Sequence, residues 1–174
     1  RGYLSAGPFV PEVVLEHPEV VTQLHREFIR AGSDVVQAFT YYGHREKLRI
    51  IGKEHLLEPM QKGALKIAKD AAAEFKDLDL MVCGDVANTN VFDPGDPNTH
   101  KQCQQMYEEQ VAWAKEAGVD FVIAETISWT DEMKIALKAI KDAGLIAVCN
   151  FAIPRGDKTR EGHTAEDACK MMED

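Results

Sequence analysis

Glu116-Ala117-Gly118-Val119-Asp120-Phe121-Val122-Ile123-Ala124-Glu125 sets out the rhythm of this chain. A charged helix end closes on a glycine suited to the left-handed position that terminates a helix. An apolar run follows, and it stops at a carboxylate. The same pattern recurs at Arg30-Ala31-Gly32-Ser33-Asp34-Val35-Val36 and at Asp142-Ala143-Gly144-Leu145-Ile146-Ala147-Val148. Short uninterrupted apolar runs such as Phe121 to Ala124 and Leu145 to Val148 are what a parallel strand buried on both faces requires. Leu80-Met81-Val82-Cys83-Gly84 reads as a further strand.

Helical stripes alternate with these strands: Val20, Val21, Leu24 and Phe28; Met60, Ala64, Ile67, Ala68, Ala71 and Phe75; Cys103, Tyr107, Val111 and Ala114; Met133, Ala136, Leu137 and Ile140. Thr130 is expected to cap the fourth of these helices, with Asp131 and Glu132 in its first turn, and Thr164 a fifth. Residues 88–98 and 154–162, rich in Asn, Asp, Pro and Gly, read as loops after strands, where α/β proteins place their chemistry. The order is a helix and then four βα units, in one domain over residues 1–174. Two architectures fit: an open doubly wound sheet, or part of a (β/α)8 barrel, which needs about 250 residues to close. Pattern alone leans slightly to the open sheet.

Composition narrows the partners. The chain has 174 residues and a formal net charge of -9, with no cluster of Lys and Arg to bind phosphates, so a nucleic-acid partner is not expected. No apolar run approaches the roughly 20 residues that span a bilayer, and the N-terminus lacks a secretory layout, so a cytosolic protein is expected. A first residue of Arg rather than Met points to a start inside a longer protein. Cys83, Cys103, Cys149 and Cys169 show neither C-x-x-C nor Cys/His ligand spacing and read as buried free thiols. The six histidines form no metal pair and read as surface or packing residues.

The strand ends carry the chemistry-bearing residues: Phe39-Thr40-Tyr41-Tyr42, Gly84-Asp85, Ala124-Glu125-Thr126 and Cys149-Asn150-Phe151. Either architecture turns these ends towards one crevice. Glu125 closes an apolar run, where a carboxylate is costly unless it meets a ligand, a cation or hydrogen-bond donors. Asp85 reads equally well as a pocket residue or as part of the turn after Gly84. Phe39, Tyr41 and Tyr42 could surround a quaternary ammonium by cation–π attraction, and core packing accounts for them as well.

Three segments resemble one family. Tyr3-Leu4-Ser5-Ala6-Gly7-Pro8-Phe9-Val10-Pro11-Glu12, followed by Glu16 to Val21 and Leu24 to Phe28, is similar to the homocysteine S-methyltransferases, betaine-using members above all. So is Ala31 to Tyr42, which resembles the family's second barrel strand and its aromatic end. Asp120 to Glu125 resembles the fourth strand. The resemblance implies a partial (β/α)8 TIM barrel, part of a single homocysteine-binding domain, and outweighs the open-sheet preference. It implies methyl transfer from betaine, or a related donor, to homocysteine, giving methionine. Glu125 would bind homocysteine, and Phe9, Tyr41 and Tyr42, with Phe39 beside them, would cradle the donor's methyl groups. Phe9 stands where betaine-using members carry Trp, and Thr126 where an aromatic follows the Glu, which leaves the donor open.

The implied cofactor is zinc, with cysteine ligands outside this chain. The resemblance is to an N-terminal half that lacks the first strand, so residues 1–174 alone are expected to be inactive, and a homo-oligomer is left open for the full-length form. Two rival readings stand: a divalent-metal lyase or aldolase with Asp85 and Glu125 as oxygen ligands, and a non-catalytic open-sheet binding module.

Overall fold

Gly32, Gly118 and Gly144, the three glycines expected to end helices, all adopt positive φ, at 102°, 69° and 75°, and each hands the chain to a strand. The computed structural model describes residues 12–153 and 156–173. Within them run α1 (Val13–Glu16), α2 (Pro18–Arg30), β1 (Val35–Gln37), α3 (Arg45–Ile50), α4 (Leu57–Ala73), β2 (Met81–Ala87), α5 (Pro97–Ala117), β3 (Phe121–Ile127), α6 (Thr130–Asp142), β4 (Ile146–Phe151) and α7 (Ala165–Lys170), with a 3-10 turn at Glu54–Leu56. The four βα units are therefore present in the expected order. α1 and α3 span one or two turns, too short to carry a periodic stripe.

All neighbouring strands are parallel and the sheet order is β1-β2-β3-β4. A doubly wound sheet reverses its strand order at a switch point, whereas a (β/α)8 barrel adds each strand beside the last. The order here is that of the barrel. The fold is an α/β arc of four consecutive barrel units, and the slight pattern preference for an open sheet is overturned.

Register assigns the two faces. Val36, Val82, Gly84, Val122 and Ala124 lie on the helix side, and Val36, Val82, Val122 and Ala124 are at most 4% exposed. Gly84 sits so close under α5 that an added Cβ would lie 3.0 Å from the Ala114 Cβ. Tyr107, Val111, Met133, Ala136 and Ile140 close this core from α5 and α6. Each fully buried large side chain there is worth about 1.5–3 kcal/mol in transfer free energy. The opposite face carries Gln37, Cys83, Asp85, Ala87, Phe121, Ile123, Glu125, Ile146, Val148 and Asn150, the lumen side of the arc.

Burial on both faces, expected for every strand, fails for β4. Ile146 is 69% and Val148 41% exposed on the lumen side, because a barrel's inner face is filled by strands opposite and four strands supply none for β4. Thr130 does not cap α6. The N-cap is Trp129, and the Thr130 hydroxyl meets Thr159 Oγ1 at 3.2 Å instead. Thr164 does cap α7, accepting from the Asp167 N–H. Phe75 lies beyond the end of α4. Cys83 and Cys103 are buried, but Cys149 is half-buried and Cys169 exposed, so the expectation of uniformly buried thiols does not hold. His44 is buried and caps α3, its Nδ1 accepting from the Lys47 N–H.

Candidate functional site

The lumen ends of β1, β2 and β3 bring Gln37, Asp85 and Glu125 side by side. Gln37 Nε2 donates to Glu125 Oε1 at 3.0 Å, spanning from β1 to β3 over the intervening β2. Just past Glu125 the chain is strained: Thr126 holds φ at 57°, a left-handed conformation that a β-branched residue rarely adopts, and the β3–β4 register shifts between Glu125 and Ile127. The Thr126 hydroxyl lies 2.6 Å from the Glu125 carbonyl and 3.3 Å from Asn88 Oδ1, so it points into the loop network.

Asp85 lines the lumen on β2 and is 3% exposed, with no hydrogen-bond partner for either carboxylate oxygen. Burial pushes its pKa well above the ordinary carboxylate value, and the charge of Glu125 adds to the rise. The Lys47 ammonium and the Gln37 amide oppose that shift without reaching hydrogen-bond geometry.

Tyr41 and Tyr42 pack edge to face with ring centroids 4.9 Å apart. A cation already lies on them. Lys47 Nζ is 3.8 Å from the Tyr41 centroid and 5.5 Å from that of Tyr42, and it donates to the Tyr41 carbonyl at 2.8 Å. Lys47 is 3% exposed, and burial lowers its pKa to about 8, against the pull of Asp85 and Glu125. The aromatic pair and the acidic pair thus share one electrostatic neighbourhood.

Phe39 is half-buried against Val13, Val14, Val21 and Ala64, and also lines a cavity of about 390 Å³ with Gln37, Tyr41 and Asp85. Phe9 lies outside the described residues. Of the residues singled out from sequence, Glu125 and Asp85 come together on the lumen face, and Tyr41 and Tyr42 are joined to them through Lys47. Sequence reasoning missed Gln37 and Lys47. For Gln37 the signal was alternation, since it falls two residues after Val35 on the lumen side. Nothing local marks Lys47, which looks like an ordinary helix-surface lysine of α3.

Cys83 shares the lumen face, where burial and the charges of Asp85 and Glu125 push its thiol up to about 12. Such a thiol is a weak nucleophile near neutral pH. Among the described residues no three His, Cys, Asp or Glu side chains gather to hold a metal ion. The lyase reading is left with two acids and no completed ligand shell.

Four parallel strands in consecutive order, with acids, an amide and aromatic rings gathered at their ends, define a protein of the (β/α)-barrel class. The chain belongs to the homocysteine S-methyltransferase family, whose model matches residues 4–174. It is 35% identical over 162 residues to betaine–homocysteine S-methyltransferase 1 of Bos taurus, covering 90% of this chain and 39% of that protein. The Sus scrofa protein of the same name is also 35% identical, with 56% of its length covered. The chain thus spans about two fifths to just over half of these relatives. The homocysteine methyltransferase MmuM of Escherichia coli, in its oxidised form, superposes with a TM-score of 0.83 at 17% identity, over 99% of this chain and 64% of that one. That likeness shows the fold. No helix among the described residues is long and apolar enough to cross a membrane.

Proposed function

We propose that this chain is the substrate-binding portion of a homocysteine S-methyltransferase that uses betaine or a related methyl donor. The observation that carries the reading is Glu125 near the C-terminal end of β3, steadied by Gln37 and linked to the Tyr41–Tyr42 pair through the Lys47 ammonium. Glu125 takes the amino end of homocysteine, and the aromatic faces of Tyr41 and Tyr42, with Phe39 and Phe9, favour the donor's positive nitrogen. Methyl transfer breaks a C–N bond as an S–C bond forms, so the two substrates must lie in line, and positioning is what these residues contribute. The products are dimethylglycine and methionine.

The family resemblance brings zinc, which favours the thiolate form of homocysteine. Among the described residues no three His, Cys, Asp or Glu side chains gather to hold that ion; this reading takes its ligands to be the family's later cysteines, outside this chain, and takes the isolated chain to be inactive. Cytosolic residence and homo-oligomerisation complete the reading.

The test is methyl transfer by the intact protein. Methionine should form from homocysteine and betaine, and Glu125→Ala should raise the Kd for homocysteine about tenfold or more, beyond its effect on betaine. The reverse order would assign Glu125 to the donor, and no methionine from any onium donor would end the reading.

A further inference from the structure

Asp85 has no role in the scheme above, yet it is the acid that the fold treats least kindly. It is 3% exposed with both carboxylate oxygens lacking a partner, and a buried polar group left unpaired is destabilising. It is not a turn residue, because it lies inside β2 paired with Ile123 of β3, and Ala87, next along the same face, pairs with Glu125.

The hydrogen bonds that nearby donors make go elsewhere. The Gln37 amide serves Glu125, the Lys47 ammonium is held at the Tyr41 carbonyl, and the Thr40 hydroxyl donates to the backbone carbonyl of Asp85 rather than to its side chain. The acid also borders the cavity that Gln37, Phe39 and Tyr41 line. The groups whose charge or dipole reaches it are Glu125, Lys47 and Gln37, with Cys83 two residues back on the same face. With both acids ionised, two negative charges would face one ammonium, an excess that suits a cation bearing N–H donors.

We propose that Asp85 is a recognition residue for the protonated amino group of the sulfur acceptor, acting as a pair with Glu125. The assignment rests on the homocysteine reading above. The chemistry selects the ligand group. A trimethylammonium has no N–H and leaves the lone pairs of Asp85 unmet, a thiol is a weak donor, and a carboxylate is repelled. A primary ammonium supplies three donors and the charge that lets Asp85 ionise.

Calorimetric titration of the intact protein tests this with homocysteine and γ-mercaptobutyrate, which keeps the thiol and carboxylate but lacks the amino group. Asp85→Asn and Asp85→Ser should each weaken homocysteine binding about 10- to 100-fold and leave γ-mercaptobutyrate within about twofold. Two substitutions separate a folding defect of one from the loss of the acid. Unchanged homocysteine affinity in the variants, or equal loss of both ligands, overturns the assignment of Asp85 alone. Wild-type protein that binds no homocysteine overturns the assignment together with the functional reading.

Discussion

Gln37 on β1 donates its side-chain amide to Glu125 on β3 at 3.0 Å, reaching across the strand that carries Asp85. One bond thereby ties β1 to β3 across the strand between them. It also fixes which oxygen of Glu125 stays available, since Oε1 is engaged.

Removing that tie should loosen the carboxylate without removing it. Gln37→Leu is expected to lower kcat/KM for the sulfur acceptor about 3- to 10-fold, the worth of one hydrogen bond to a charged group at a partly exposed position. The donor's kcat/KM should move less. Steady-state kinetics of the intact protein with each substrate varied checks this, and a larger loss for the donor would place Gln37 on the other side of the reaction.

Lys47 already occupies the ring face of Tyr41. Lys47→Met should therefore raise affinity for tetramethylammonium, a probe without a carboxylate, about 3- to 10-fold, in line with a cation–π contact of roughly 0.5–2 kcal/mol. In the unsubstituted protein the same affinity should climb between pH 7 and pH 9, as Lys47 loses its charge near 8. Tyrosine fluorescence titrations read both effects. Flat responses would mean that Tyr41 and Tyr42 do not form the onium site.

The raised pKa of Asp85 carries a sign for stability. Above the ordinary carboxylate value the unfolded chain releases a proton that the folded chain keeps, so folding loses about 1.4 kcal/mol per pH unit until the folded pKa is reached. Asp85→Asn removes that loss and should stabilise the protein at pH 7 by about 1 kcal/mol or more. The gain should fade as pH falls through the unfolded carboxyl value of 3.8, because the unfolded state then takes up the same proton. Urea midpoints across pH 3–8 check it, and a gain independent of pH would contradict a raised pKa for Asp85.

Gly84 lies where α5 meets the sheet, and an added Cβ would stand 3.0 Å from the Ala114 Cβ and 3.5 Å from Val122 Cγ2. Gly84→Ala is expected to cost about 1–3 kcal/mol through overpacking. Ala114→Gly in the same chain should recover part of it. Strict additivity of the two losses in denaturant unfolding would show that the atoms do not meet.

The residues themselves determined the order of elements, since helix, left-handed glycine and apolar run are local features read within a few positions. They also marked Glu125, because a carboxylate that ends an apolar strand is anomalous wherever the strand sits. The aromatic run Phe39 to Tyr42 was equally visible, but its division was not: Tyr41 and Tyr42 join Lys47, while Phe39 packs towards Val13, Val14, Val21 and Ala64. Tertiary structure alone decided the remainder. Whether strands wind in order or reverse depends on which strand each one pairs with, a long-range choice that separated the barrel arc from the open sheet. The burial of Lys47 and the isolation of Asp85 are set by where α3 and the neighbouring strands come to rest, because desolvation and the distance between charges exist only once separate segments of the chain are packed together.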